Sequence, residues 1–211
     1  MKTNRLLLAM VTGLIFTLSV SFADFLGFER NLDGIRNNVL RIHIIANSDS
    51  EEDQSLKLRV RDEILSRCSY LFEDTKNISQ TIETAKENLP LIEDVAKSVI
   101  EENGFYYDVS SEIVKMDFDK KVYENFTMPK GNYNAIRIKI GEAKGKNWWC
   151  VMYPPLCVPT VSETEMSEYL TDEEIDIITS PQKYEVRFKC VEIYEKIFGH
   201  CSSGRLTETT F

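Results

Sequence analysis

The chain has two histidines, His43 and His200. The second lies in a polar tail, so any Cys–His or Ser–His–carboxylate chemistry would rest on His43. A hydrolase could use His43 with a nearby carboxylate, or two of the carboxylates Asp49, Glu51, Glu52 and Asp53 as acid and base. The plainer reading of His43 is a polar-face side chain on an edge or half-buried strand. The plainer reading of the acidic cluster is a helix start, where unpaired N–H groups and the helix dipole favour negative charge. Ser50 followed by Asp53 has the spacing of a capping box. The sequence contains no GxSxG elbow, HExxH pair, phosphate-cradling glycine loop or dinucleotide fingerprint. Catalysis therefore has no local support, and neither a cofactor nor an enzyme is expected.

The five cysteines are Cys68, Cys150, Cys157, Cys190 and Cys201. No CxxC pair or Cys/His spacing suggests zinc, so no metal is expected. Outside the cytoplasm, Cys150 and Cys157 could close a disulfide across Tyr153, Pro154 and Pro155. Closing so short a loop is worth about 2.5 kcal/mol in the chain-entropy model. The alternative is five reduced thiols, with Cys68 and Cys190 on apolar helix faces and the prolines holding the other sulfurs apart. Beside Cys150, Trp148 and Trp149 form the densest aromatic segment. They read either as an interface anchor or as packing, and strand alternation turns only one of the two inward.

Several elements must position these residues. Lys2 and Arg5 precede an uncharged stretch, residues 6–23, that ends in Ser21, Phe22 and Ala23, a signal-peptidase pattern. Residues 1–23 are thus an export signal, either removed or kept as an anchor, since roughly 18 uncharged residues also suffice to span a bilayer. Residues 24–38 show no clear period and read as a spacer. Residues 39–46 suit a first strand. Leu56, Val60, Ile64 and Cys68 recur every four residues, as on one face of a helix. A second helical pattern runs from Ile78 to Val99 and must kink or restart at Pro90. The period then becomes two: Val109, Ile113, Met116 and Phe118 mark one strand and Ile136, Ile138 and Ile140 its hairpin partner. A third short strand begins at Asn147. The acidic stretch 162–176 reads as a solvated connection, and Val186, Cys190, Ile193 and Ile197 return to helical spacing. These elements predict one α+β domain, residues 39–199, with a small, mainly antiparallel sheet, helices packed on one face and a mobile tail at 200–211. A formal charge of −9, with no aromatic-interleaved basic cluster, argues against nucleic-acid binding.

Two stretches, LRIHIIANSDSEEDQSLKLRVRDEIL (residues 40–65) and NWWCVMYPPLC (147–157), resemble the signature segments of the stage II sporulation protein R family. EVRFKCVEIYEKIF (185–198) resembles its final helix. The resemblance implies a protein made in the forespore and exported into the space between the forespore and mother-cell membranes. There it would trigger a membrane-embedded aspartic protease of the mother cell that processes pro-sigma-E. Within that picture the chain is a non-catalytic protein ligand. The first candidates for contact with the protease are Asn47, Ser48, Asp49, Asp53 and Gln54 at the helix start, together with Trp148 and Trp149. The rival readings are a secreted cell-wall hydrolase using His43 with a carboxylate, and a lipid- or wall-associated module held by an uncleaved anchor.

Overall fold

The computed structural model describes residues 2–123, 126–154, 166–167, 169–185, 187 and 193. Its first element is one unbroken helix, α1 (Lys2–Asn38). The first strand, β1 (Leu40–Ile45), leads into α2 (Glu51–Cys68), and two further helices follow, α3 (Ile78–Glu87) and α4 (Leu89–Glu102). The expected interruption falls at Pro90, which occupies the first turn of α4, where a missing N–H costs nothing. Next come β2 (Val109–Phe118), the two-residue strands β3 (Lys121–Val122) and β4 (Thr127–Met128), β5 (Gly131–Ile140), β6 (Asn147–Tyr153) and a short helix, α5 (Asp172–Thr179).

Four strands form one sheet in the order β2–β5–β1–β6. β2 and β6 run antiparallel to their neighbours, while the central pair, β1 and β5, is parallel. The alternation of β1 sends Leu40, Ile42 and Ile44 to one face. There they join Ile136, Ile138 and Ile140 of β5, Leu56, Val60, Ile64 and Cys68 of α2, and Ile92, Ala96 and Val99 of α4 in the larger core. The four-residue repeat read along α2 is thus its buried stripe.

The opposite face carries a second, smaller core, absent from the sequence-based expectation. Phe28, Leu32 and Ile35 of α1 and Ile175, Ile177 and Ile178 of α5 pack there against Tyr133, Ala135 and Val151. Residues 24–38 are therefore not a spacer but the C-terminal half of a helix. Leu32 and Ile35 are fully buried, which stabilises the fold by about 1.5–3 kcal/mol for each side chain. The end of the acidic stretch 162–176 is also ordered: the Thr171 side chain accepts from the Glu174 N–H, and Glu174 accepts from the Thr171 N–H at 2.9 Å, completing a capping box. Most of the helix expected over 184–198, and the tail 200–211, lie outside the described residues.

Candidate functional site

The sheet end at which β1 and β5 finish and β6 begins holds the predicted contact residues in two groups. The first is the β1–α2 connection. Ser50 caps α2 by accepting from the Asp53 N–H, as its spacing predicts. The Asp53 carboxylate does not reach back to close a box. It is buried, and its Oδ2 accepts from Asn47 Nδ2 at 2.8 Å and Ser48 Oγ at 2.6 Å. Burial alone would raise its pKa, but the hydrogen bonds from Ser48, Asn47 and Tyr107 outweigh it and hold the carboxyl below its usual range.

The same segment is stitched to the β5–β6 loop. The Glu142 N–H donates to Asn47 Oδ1 (3.0 Å) and the Lys146 N–H to Asp49 Oδ1 (2.6 Å). Gln54 Nε2 donates to the Ser48 carbonyl, and Lys57 Nζ donates to Gln54 Oε1 and the Lys146 carbonyl. Burial depresses the Lys57 pKa. Gly145 completes the seam, because a Cβ there would overlap the Ser48 backbone oxygen. Asn47, Ser48, Asp53 and Gln54 thus spend their polar groups inside the protein, while Asp49 remains exposed.

The second group crosses the sheet on the face of the smaller core, just beyond the part covered by α1. Register aligns Glu112, Arg137, His43 and Trp149 in one row, and Ser110, Lys139, Ile45 and Asn147 in the next. The His43 ring lies flat on Trp149, 3.9 Å between centroids and 3° between planes. Its Nε2 is 2.9 Å from Asn147 Oδ1, an acceptor, so in this bond Nε2 carries the proton and donates. Nδ1 is buried without a partner. Burial lowers the His43 pKa, the Asn147 bond opposes this, and Arg137 adds to it. Arg137 Nη2 and Lys139 Nζ both reach Glu112 Oε1 at 2.9 Å, and these bonds, that to Lys139 foremost, hold the Glu112 pKa low. Two cations share one carboxylate, leaving this half-exposed shelf net positive on an acidic protein.

Arg41 lies beneath the shelf, fully buried on β1. Its guanidinium sits 4.1 Å from the Phe118 ring centroid and 5.1 Å from that of Tyr133. Nη2 donates to the Tyr123 hydroxyl at 2.9 Å, and that hydroxyl donates to the Trp149 carbonyl. Desolvation lowers the Arg41 pKa. Trp149 is therefore supported from below by Phe118, edge-on at 4.7 Å, and alongside by His43.

Trp148 and Trp149 do not share a surface. Trp148 faces the larger core, with the Arg61 guanidinium 4.3 Å above its ring. Arg41, Glu112, Arg137 and Lys139 were not among the predicted contact residues, although 41/43 and 137/139 place polar side chains at alternate positions of two strands. His43 is on a central strand, not an edge, and its bonded neighbour is an amide, not a carboxylate. Cys150 is disulfide-bonded and Cys68 is free, while Cys157 lies outside the described residues. Among the described residues no group of three or more His, Cys, Asp or Glu could hold a metal ion.

Comparison with known proteins gives this site a family. No solved structure matches the chain. A curated relative, stage II sporulation protein R of Bacillus subtilis (strain 168), is 36% identical over 140 residues, which is 66% of this chain and 62% of that relative. The chain thus aligns with less than two thirds of the relative's length. The family model for stage II sporulation protein R matches residues 36–163, which include β1, the stitched loops and the whole shelf. With more than half of its length under that match, the chain belongs to the stage II sporulation protein R family.

Proposed function

We propose that the chain is an exported signalling protein that acts as a non-catalytic ligand of a membrane-embedded aspartic protease in the mother cell, leading to processing of pro-sigma-E. The observation that carries this reading is the shelf of Trp149, Arg137, Lys139 and Glu112, backed by the buried His43 ring: a half-exposed, net positive surface on a rigid sheet, next to a helix that begins in an exposed apolar stretch. Family membership supports the role in sporulation. The apolar half of α1 is compatible with export or anchoring and fits action in the space between the two membranes. A protein ligand activates an enzyme only by binding its active state better than its inactive one. Moving such an equilibrium from 1:99 to 99:1 takes about 5.5 kcal/mol of differential binding. A net positive shelf with one supported tryptophan suits that task, since aromatic and arginine side chains dominate interface energetics.

The test is pro-sigma-E cleavage in cells that carry the candidate protease, with the full chain, with a chain lacking residues 1–23, and with no chain. Cleavage seen only with the exportable form supports the proposal, and cleavage indifferent to it sinks it. Arg137→Ala with Lys139→Ala separates a contact surface from a fold requirement: loss of signalling with an unchanged unfolding midpoint is the expected outcome. A His43→Gln variant that still signals removes the hydrolase reading.

A further inference from the structure

α1 passes from an exposed apolar segment into the domain without a turn. Leu14, Leu18 and Phe22 are exposed, Leu26 is still 41% exposed, and Phe28 is the first fully packed residue. At this junction a one-turn 3₁₀ helix, Pro181–Tyr184, comes alongside. The Tyr184 ring stacks on Phe28 with 5.4 Å between centroids and 16° between planes. The Arg187 guanidinium lies 5.8 Å from the Phe28 ring and 5.7 Å from the Tyr184 ring. Lys183 Nζ is 5.2 Å from the Tyr184 ring and 2.6 Å from Asp176 Oδ2.

Helix rise converts these positions into depth. At 1.5 Å per residue, Phe28 lies about 7.5 Å beyond Ala23. If the apolar stretch fills a hydrocarbon core of about 30 Å, that is the level of the headgroups, which add roughly 5–8 Å on each side. Tyrosine and long cations settle at that level, and here the Tyr184 hydroxyl and Lys183 Nζ both donate to Asp176 Oδ2. We propose that Tyr184, Lys183 and Arg187, with Phe25 and Leu26 of α1, form a collar that seats the domain directly on the surface of an anionic bilayer. The chain as a whole is acidic and is repelled by such a surface, so contact through the aromatic edge that carries Lys183 and Arg187 fixes one face of the domain downward. The proposal rests on α1 lying in a membrane.

The experiment places the full chain carrying Tyr184→Trp in phosphatidylglycerol–phosphatidylcholine vesicles, with bromine either near the headgroup or deep in the acyl chains. The unmodified chain supplies the background from Trp148 and Trp149. Loss of the added emission with shallow bromine but not with deep bromine is expected, and Arg187→Ala or omission of phosphatidylglycerol should weaken that loss. Quenching no greater than background, in a chain that floats with the vesicles, overturns the collar. A full chain that does not float with them overturns the membrane reading of α1 and the collar together. Gln182→Trp, exposed in the same turn, repeats the measurement with the Tyr184 stack intact.

Discussion

A carboxylate out of contact with water is tolerated when donors surround it, and Asp53 has Asn47 and Ser48 as donors. Asp53→Ala would leave both unpaired and cost about 1–3 kcal/mol, read as a fall in the urea midpoint. Because the folded state lowers the Asp53 pKa, its contribution is fully present above the unfolded value of about 3.9 and is lost as pH falls through the folded one. His43 titrates in a higher window. Its pKa is also lowered on folding, so the unfolded chain takes up the proton first and stability declines as pH drops below about 6.5. Stability measured between pH 7 and 5 should fall less steeply for His43→Gln than for the parent; identical slopes would show that another group controls this range. The capping role of Ser50 was legible in its spacing. The stack of His43 on Trp149 was not, because it joins residues 106 positions apart through register that local pattern does not reveal.

At the scale of elements, the two cores differ in how openly the sequence declared them. α2 and α4 show long apolar stripes. α1 had a stripe as well: Phe25, Phe28, Leu32 and Ile35 are spaced three, four and three. It was obscured by the adjoining apolar segment and by Gly27 and Gly34, the second lying where a Cβ would meet the Glu174 carboxylate of α5. Leu32→Ala should therefore destabilise the domain by about 2–5 kcal/mol, like any large-to-small change in a packed core. A change within 0.5 kcal/mol would mean that α1 is dispensable to the fold. α5 was concealed by its acidity, although Thr171 and Glu174 have the spacing of a capping box. Thr171→Ala should cost about 0.5–2 kcal/mol and leave the larger core intact, a difference that hydrogen exchange at α5 and at α2 would resolve.

The whole molecule is held together by contacts distant in sequence. β1 pairs in parallel with β5, more than ninety positions later, and antiparallel with β6, beyond a hundred. Local periodicity identified the four strands of the main sheet, but their order and its mixed character rest on long-range pairings that local pattern does not reveal. The disulfide at Cys150 adds a covalent constraint on the edge strand, and such bonds typically contribute about 2–4 kcal/mol. Cys150→Ser, or a reductant, should lower the unfolding midpoint accordingly. An unchanged midpoint would show that the larger core alone sets global stability.

An unbroken α1 also turns distance along the chain into compass bearing. Each residue inserted after Ala23 would swing the domain about 100° around the helix axis and lift it about 1.5 Å. Two added alanines would point the Trp149 row almost backwards, whereas seven would restore its heading to within about 20° and raise it about 10 Å. Signal strength that waxes and wanes with a beat of about 3.6 inserted residues would mean that the receiver reads where the domain is aimed as well as whether it has arrived.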